Sequence, residues 1–177
     1  MNNDDNYTVI AVVEDCFDLR GLSANRHEYD EAEVVEAMQI NRVAIDNLAM
    51  FGYVTHYVRE LGKKRAEIEM LAPPEIHHAQ LLGQVRKGLY TPACVCVGVQ
   101  LSCGVVTHQQ AILDTVPGTY LLNQIAVGAG GWSWAIHIDR RMLCGFDYVD
   151  HPSFPSLSEG SIFLDIEPFQ ITRRLDQ

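Results

Sequence analysis

Cys103 is the side chain whose type and setting most favour covalent chemistry. The segment that begins at Ser102 starts with small residues, and its spacing predicts a helix over residues 104–115. A thiol at the first turn of a helix lies at the positive end of the helix dipole, which favours the thiolate. Gln100, on the strand predicted just before, would donate a hydrogen bond to a developing oxyanion. Cys103 is therefore a candidate nucleophile.

A thiol nucleophile needs a base and a group that orients the base. His137 falls in a strand predicted over residues 132–138, and Asp150 directly follows the next predicted strand, 142–149. A cysteine at a helix start, a histidine on a strand and an acid after the neighbouring strand resemble the architecture of papain-like and transglutaminase-like thiol enzymes. The resemblance implies acyl or amide-bond chemistry in which Cys103 attacks, His137 moves the proton and Asp150 orients the imidazole.

His108 lies five residues after Cys103 on the same predicted helix. Five residues rotate a side chain by about 140° around a helix axis, so His108 points largely away from Cys103. We therefore do not assign it as the base, and we expect a surface or partly buried histidine.

Cys94 and Cys96 alternate along a predicted strand and should point the same way. Together with a histidine such as His56, His77 or His78 they would form a metal-binding regulator, which is a second alternative function. The sequence contains neither a repeated CxxC pair nor an HExxH motif, which are the patterns that would support a metal site. Cysteines in apolar strands more often behave as small buried hydrophobic residues, and we assign no metal ligand and no cofactor.

Trp132 and Trp134 lie on one face of their predicted strand, because side chains alternate with a period of two. Beside the glycine-rich segment 128–131 they could line a ligand cleft, form an oligomer contact or pack in the core. A phosphate-binding loop leads from a strand into a helix. Because a strand pattern follows these glycines, we expect a connection between two strands.

The predicted helices and strands that position these residues indicate one α+β domain over residues 1–177. We expect a mainly antiparallel sheet packed by about three helices, disorder over residues 1–6 and an irregular loop over 150–156. The predicted helices cover residues 31–50, 75–87 and 104–115. The predicted strands cover residues 7–13, 53–60, 65–71, 93–101, 119–127, 132–138, 142–149 and 161–171.

Composition and charge exclude several classes of function. The chain is 47% hydrophobic, which is enough to bury a core, and its net charge is −10. Clustered acids over residues 1–36 should repel nucleic acid and anionic membranes. No apolar run reaches membrane-spanning length and no signal peptide is evident, so we expect a cytoplasmic protein. The leading prediction is a protein that binds a protein partner or a small ligand, as a homo-oligomer; the thiol enzyme stays the alternative.

Overall fold

The computed structural model describes residues 5–21, 23, 26–54 and 92–173. The fold is rich in sheet and its strands pair mostly antiparallel, which confirms the coarse α+β prediction. The helices are α1 (Glu31–Ile40), α2 (Arg42–Asp46) and α3 (Val116–Ala126), with a 3₁₀ turn at Ile138–Arg140. The strands are β1 (Asp5–Asp18), β2 (Phe51–Gly52), β3 (Cys94–Ser102), β4 (Val105–Leu113), β5 (Gly131–His137), β6 (Met142–Val149), β7 (Ile162–Leu164) and β8 (Phe169–Arg173).

The main sheet is organised around the long strand β1. Its order is β2-β3-β4-β1, and both β7 and β8 pair with the other edge of β1. The β1–β4 register shifts between Val9 and Ala11, which marks an irregularity of the β-bulge type. As a result Val9 and Val12 belong to one hydrophobic cluster, whereas Val13 and Phe17 belong to the cluster on the other face.

The second sheet, β5–β6, packs over the Val13 face of the main sheet, where Trp134 and Phe146 share a core with Phe17. The segment after β2 links the two sheets, because the Tyr148 amide donates a 2.9 Å hydrogen bond to the Tyr53 carbonyl. Gly52 makes this approach possible. A Cβ at this position would lie 2.1 Å from the Phe146 carbonyl oxygen.

Helix α1 begins where the sequence predicts. The Asp30 carboxylate accepts hydrogen bonds from the amides of Ala32 and Glu33, which caps the helix. The helix ends at Ile40, and the short α2 follows it, so the single helix predicted over residues 31–50 is confirmed only in part.

Residues 105–113 form strand β4, and the helix predicted over residues 104–115 is wrong. β4 pairs with β3 on one side and with β1 on the other. It begins with Val105, Val106 and Thr107, whose branched side chains favour strands. Ladders on both sides supply the hydrogen bonds that a helix would have made internally.

The strand predicted over residues 119–127 is also wrong, because these residues lie in or directly after α3. Thr115 caps this helix by accepting a 3.0 Å hydrogen bond from the Gly118 amide, and Pro117 occupies the first turn. The glycine-rich segment 128–131 therefore connects a helix to β5 rather than two strands.

Other predictions are confirmed or corrected at their ends. The strands predicted over 93–101, 132–138 and 142–149 are confirmed as β3, β5 and β6, whereas 161–171 contains two short strands. β1 begins at Asp5, and residues 1–4 of the segment predicted to be disordered lie outside the described residues. The strands predicted over 53–60 and 65–71 lie outside the described residues after Val54, as does the whole predicted helix over 75–87. None of the described helices is long and apolar enough to cross a bilayer.

Candidate functional site

A cavity of about 300 Å³ lies against the inner face of the main sheet. Its walls come from β1, β4, α3 and the glycine-rich segment after it, β5, β6 and the loop that follows β6. The lining side chains that matter for its chemistry are those of Asp15, His108, Trp132, Tyr148, Phe154 and Ser161. Among the described residues that line it, Asp15 and Glu159 are acidic and no lysine or arginine is present.

Asp15 places a buried carboxylate in the middle of β1. It lies between Val13 and Phe17 on the side of the strand that faces the core, and it is 5% exposed. Its Oδ1 accepts hydrogen bonds from the Cys16 amide at 2.7 Å and from the Ser156 hydroxyl at 2.5 Å. These contacts compensate the carboxylate for the water that it loses on burial.

Two more serines hold the loop after β6 against the same carboxylate. The Ser161 hydroxyl donates to Asp15 Oδ2 at 3.1 Å, and the Ser158 hydroxyl, which donates to the Gly160 carbonyl at 2.8 Å, lies 3.4 Å from Asp15 Oδ1. The Trp132 indole N–H then donates to Ser161 Oγ at 2.8 Å. Asp15 therefore joins the loop to β1, and Trp132 extends the network to the second sheet.

His108 lies on β4 and is 1% exposed, so it is a buried histidine rather than the surface or partly buried one that the sequence predicts. Its ring stacks on Phe146 with centroids 4.2 Å apart and meets Trp132 edge to face at 5.5 Å. Burial lowers the pKa of His108 to about 3. The imidazole is therefore neutral at physiological pH.

The orientation of the Gln110 amide determines which nitrogen of the His108 ring carries the proton. In the structure, Gln110 Oε1 lies 3.9 Å from the Cys94 thiol, and the Gln110 amide nitrogen lies 3.1 Å from His108 Nδ1. An amide N–H donates, so Nδ1 accepts and the ring proton lies on Nε2. Within the part of the chain that the structure describes, Nε2 is buried and has no hydrogen-bond partner.

Asp15 and His108 are direct partners in the β1–β4 register. Opposed residues in an antiparallel pair point to the same face, with Cβ atoms about 4.5–5.5 Å apart. Tyr148 closes the cavity nearby. Burial, and secondarily the negative charge of Asp15, raises the pKa of Tyr148 to about 12, so its phenol is neutral.

Cys103, the predicted nucleophile, occupies the two-residue turn between β3 and β4. Cys103 and Gly104 both have positive φ, 51° and 78°, as in the type I′ turns that join paired strands. The thiol is exposed, and no helix begins there to stabilise a thiolate. Gln100 lies on β3 with an exposed side chain, opposite Thr107.

His137 and Asp150 belong to opposite ends of the second sheet. His137 pairs with Met142 at one end of β5–β6, and Val149, the residue before Asp150, pairs with Gly131 at the other. Six residues of strand separate these ends by roughly 20 Å. The triad of Cys103, His137 and Asp150 stays a prediction from the sequence. The helix that was expected to activate the Cys103 thiol is replaced by strand β4.

Trp132 and Trp134 share a face of β5, as their spacing predicts, and both are buried, at 4% and 7% exposure. Trp132 lines the cavity as well as belonging to the core. Trp134 packs edge to face on Phe17 and Tyr29, away from the described lining. The structure thus separates two tryptophans that the sequence treats alike.

Cys94 and Cys96 are buried in the same core cluster. The Cys96 thiol donates to the Gly98 carbonyl at 3.5 Å, and burial raises the pKa of Cys96 to about 11. No group of three potential metal ligands occurs among the described residues. His56, His77 and His78, the other ligands considered for a metal site, lie outside those residues.

Apart from Trp132 and the glycine-rich segment 128–131, the residues that build the cavity were absent from the sequence-based candidates. The sequence does contain a signal for Asp15 and His108. In the alternation of each strand, both occupy positions whose side chains face the core. Asp15 lies between Val13 and Phe17, and His108 lies two residues after Val106. A charged or titratable side chain in an apolar phase needs buried partners. The serines of the 156–161 loop give no such signal, because serine is common in loops.

Comparison with protein-family models, with curated proteins and with solved structures finds no match for this chain.

Proposed function

We propose that this protein binds a small polar molecule in the cavity between its two sheets. The observation that carries the proposal is the N–H of His108 Nε2, a buried donor without a described partner on a residue that lines the cavity. Buried polar groups are nearly always hydrogen-bonded, so an unpaired one is a natural contact for a ligand. The rigid ring stack on Phe146 holds this donor in place.

The cavity limits the size and charge of its ligand. Its volume of about 300 Å³ is near the lower end of the range for small-molecule sites, roughly 300–1,000 Å³. An anion would meet Asp15 and Glu159 with no lysine or arginine in the described lining to offset them. The ligand is therefore a small neutral or cationic molecule.

The cytoplasmic location predicted from the sequence remains part of this proposal.

Ligand-observed NMR with a set of small neutral and cationic fragments tests the proposal. Pro155→Trp places a bulky ring at the exposed rim of the cavity, and His108→Phe removes Nε2 while keeping an aromatic ring on Phe146. We expect some fragments to bind the unmodified protein and the same fragments not to bind either variant.

The matched control is Leu157→Trp, because Leu157 is exposed in the same loop but does not belong to the described lining. It should bind the same fragments as the unmodified protein. Absence of any fragment binding, or binding that survives both Pro155→Trp and His108→Phe, would contradict the proposal.

A second candidate function, association of two copies of this chain, is favoured by the outer strands of the main sheet. Within the described residues no strand lies beyond β7 and β8, and three apolar side chains there are 42–52% exposed: Ile162, Phe163 and Phe169. Exposed apolar edges favour pairing with another chain. Native mass spectrometry tests this: a dimer that Phe163→Lys dissociates supports it, with Asp165→Lys as the control, and a monomer at all concentrations contradicts it.

A further inference from the structure

We infer that the cavity recognises a neutral amide group, such as that of a lactam or a cyclic ureide. The inference rests on the proposed function and names its ligand class. The amide C=O would accept from His108 Nε2, and the amide N–H would donate to the carboxylate of Asp15.

The donor half of this site is His108. Its neutral ring carries one N–H, and the acceptor nitrogen Nδ1 is already occupied by Gln110 at 3.1 Å. A ligand therefore meets a donor at this position and must supply an acceptor. Because the side chain is 1% exposed, a ligand that reaches Nε2 must enter the cavity rather than rest on its rim.

The acceptor half is Asp15 Oδ2. Among the described contacts, Oδ1 accepts from the Cys16 amide and Ser156 and has the Ser158 hydroxyl 3.4 Å away, whereas Oδ2 accepts from Ser161 alone. A carboxylate offers about four lone-pair sites over its two oxygens, so Oδ2 retains capacity for one further donor. The serines fix the orientation of the carboxylate without filling that position.

The two halves lie side by side because Asp15 and His108 are register partners on neighbouring strands. Their Cβ atoms are therefore about 4.5–5.5 Å apart on one face of the sheet. The N–H donor and the C=O acceptor of a cyclic amide are attached through one carbon and face the same side of the ring, which suits two protein groups held this close. The rings of Trp132, Tyr148 and Phe154 line the rest of the cavity and favour a flat ligand.

Charge and hydrogen-bond type distinguish an amide from the other small polar groups. An ammonium has donors only and leaves His108 Nε2 unpaired. A carboxylate has acceptors only and meets the negative charge of Asp15. A ketone accepts a hydrogen bond from His108 but has no donor for Asp15, whereas an amide offers an acceptor to His108 and a donor to Asp15.

Four five-membered-ring compounds of similar size, each carrying one of these polar groups, test which group the cavity prefers. The probes are 2-pyrrolidinone, cyclopentanone, pyrrolidinium and cyclopentanecarboxylate. Each is titrated into the isotope-labelled 177-residue chain while the His108 ring and Trp132 indole signals are followed. We expect 2-pyrrolidinone to bind at least about tenfold more tightly than cyclopentanone, which lacks the donor for a charged acceptor. In His108→Phe, whose fold is checked from its amide spectrum, 2-pyrrolidinone binding should weaken by at least about tenfold.

The outcomes also separate this inference from the proposed function. Tightest binding by pyrrolidinium, or equal binding by the lactam and the ketone, overturns the amide assignment and leaves a ligand-binding cavity. If none of the rings shifts the His108 and Trp132 signals, the amide assignment is overturned as well, and the fragment experiment with Pro155→Trp then decides whether the cavity binds any small molecule.

Discussion

Asp15 and His108 face each other across the β1–β4 ladder, and both line the cavity beneath the second sheet. One is a carboxylate held by serine hydroxyls, and the other is a neutral imidazole with a spare donor. Polar side chains at matched positions in a core lower stability unless they are fully paired. Asp15 has its partners in the loop, whereas His108 retains an unpaired atom, and this difference is the basis of the binding proposal.

Burial of neutral His108 makes stability depend on pH in mildly acidic solution. Its folded pKa of about 3 lies below an unfolded value of about 6.5, so only the unfolded state binds this proton between those values. The stabilisation is complete above pH 6.5 and is lost as the pH falls towards 3. We expect the free energy of unfolding to fall by about 2 kcal/mol between pH 6.5 and pH 5 from this group.

Urea unfolding of the unmodified protein and of His108→Phe at both pH values measures this contribution. The variant should lose about 2 kcal/mol less on acidification, because its other titrating groups are unchanged. Equal losses in the two proteins would show that His108 titrates normally in the folded state.

Ser156 should organise the loop that closes the cavity. Its hydroxyl donates to Asp15 Oδ1 and accepts from the amides of Ser158 and Gly160 at 3.2 and 3.3 Å. Ser156→Ala should lower the free energy of unfolding by about 2 kcal/mol, since a hydrogen bond to a charged group is lost. Amide hydrogen exchange at Ser158 and Gly160 should also become faster.

Ser153→Ala is the control for this loop. The described contact of Ser153 is a 3.4 Å approach to Ser133, and it does not involve Asp15. We expect a change below about 0.5 kcal/mol, as for most substitutions away from buried networks. If both alanine variants lose the same stability, the contact with Asp15 is not what holds the loop.

Cys103→Asn should stabilise the protein. Cys103 has a φ of 51° in the β3–β4 turn, a conformation that asparagine adopts more readily than cysteine and that type I′ turns favour as Asn-Gly. Thermal unfolding should show a gain of about 1 kcal/mol. Ser102→Asn, in the adjacent extended residue of β3, should give no gain; a loss of stability in Cys103→Asn would contradict the turn assignment.

Thiol reagents should distinguish the exposed cysteine from the buried ones. Brief alkylation with iodoacetamide at pH 7.5, followed by mass spectrometry, should label Cys103 and spare Cys94 and Cys96. Both spared thiols lie in the core, and burial raises the pKa of Cys96 to about 11. Labelling of Cys103 much faster than in an unfolded peptide would revive the thiol-enzyme hypothesis, and rapid labelling of Cys96 would contradict the packing of β3.

Local patterns predicted the parts of the fold that depend on local interactions. The alternation in β3, β5 and β6 and the Asp30 cap of α1 were readable because each lies within a short segment. The sequence predicts a helix over 104–115 because Ser102 and Gly104 resemble a helix start. Its strand form depends on pairing with β1, about 95 residues earlier, as the Glu14–Gln109 contact illustrates.

The candidate site was less predictable for the same reason. It depends on Asp15, His108 and Ser161, which come from three distant segments and meet only when the ladder and the loop form. Trp132 was the one predicted ligand-binding residue that lines the cavity, and its burial follows from the alternation of β5. The Thr115 cap and Pro117 are local signals that favour α3 over the strand predicted at 119–127.

The most direct test of the central claim is a long-range ¹H–¹⁵N spectrum of the His108 ring at pH 7, recorded while 2-pyrrolidinone is added. We predict a neutral ring with its proton on Nε2, and a saturable shift of the Nε2 signal in the unmodified protein and in Leu157→Trp but not in Pro155→Trp. A charged ring, a proton on Nδ1, or an Nε2 signal that stays fixed at saturating probe would contradict the account.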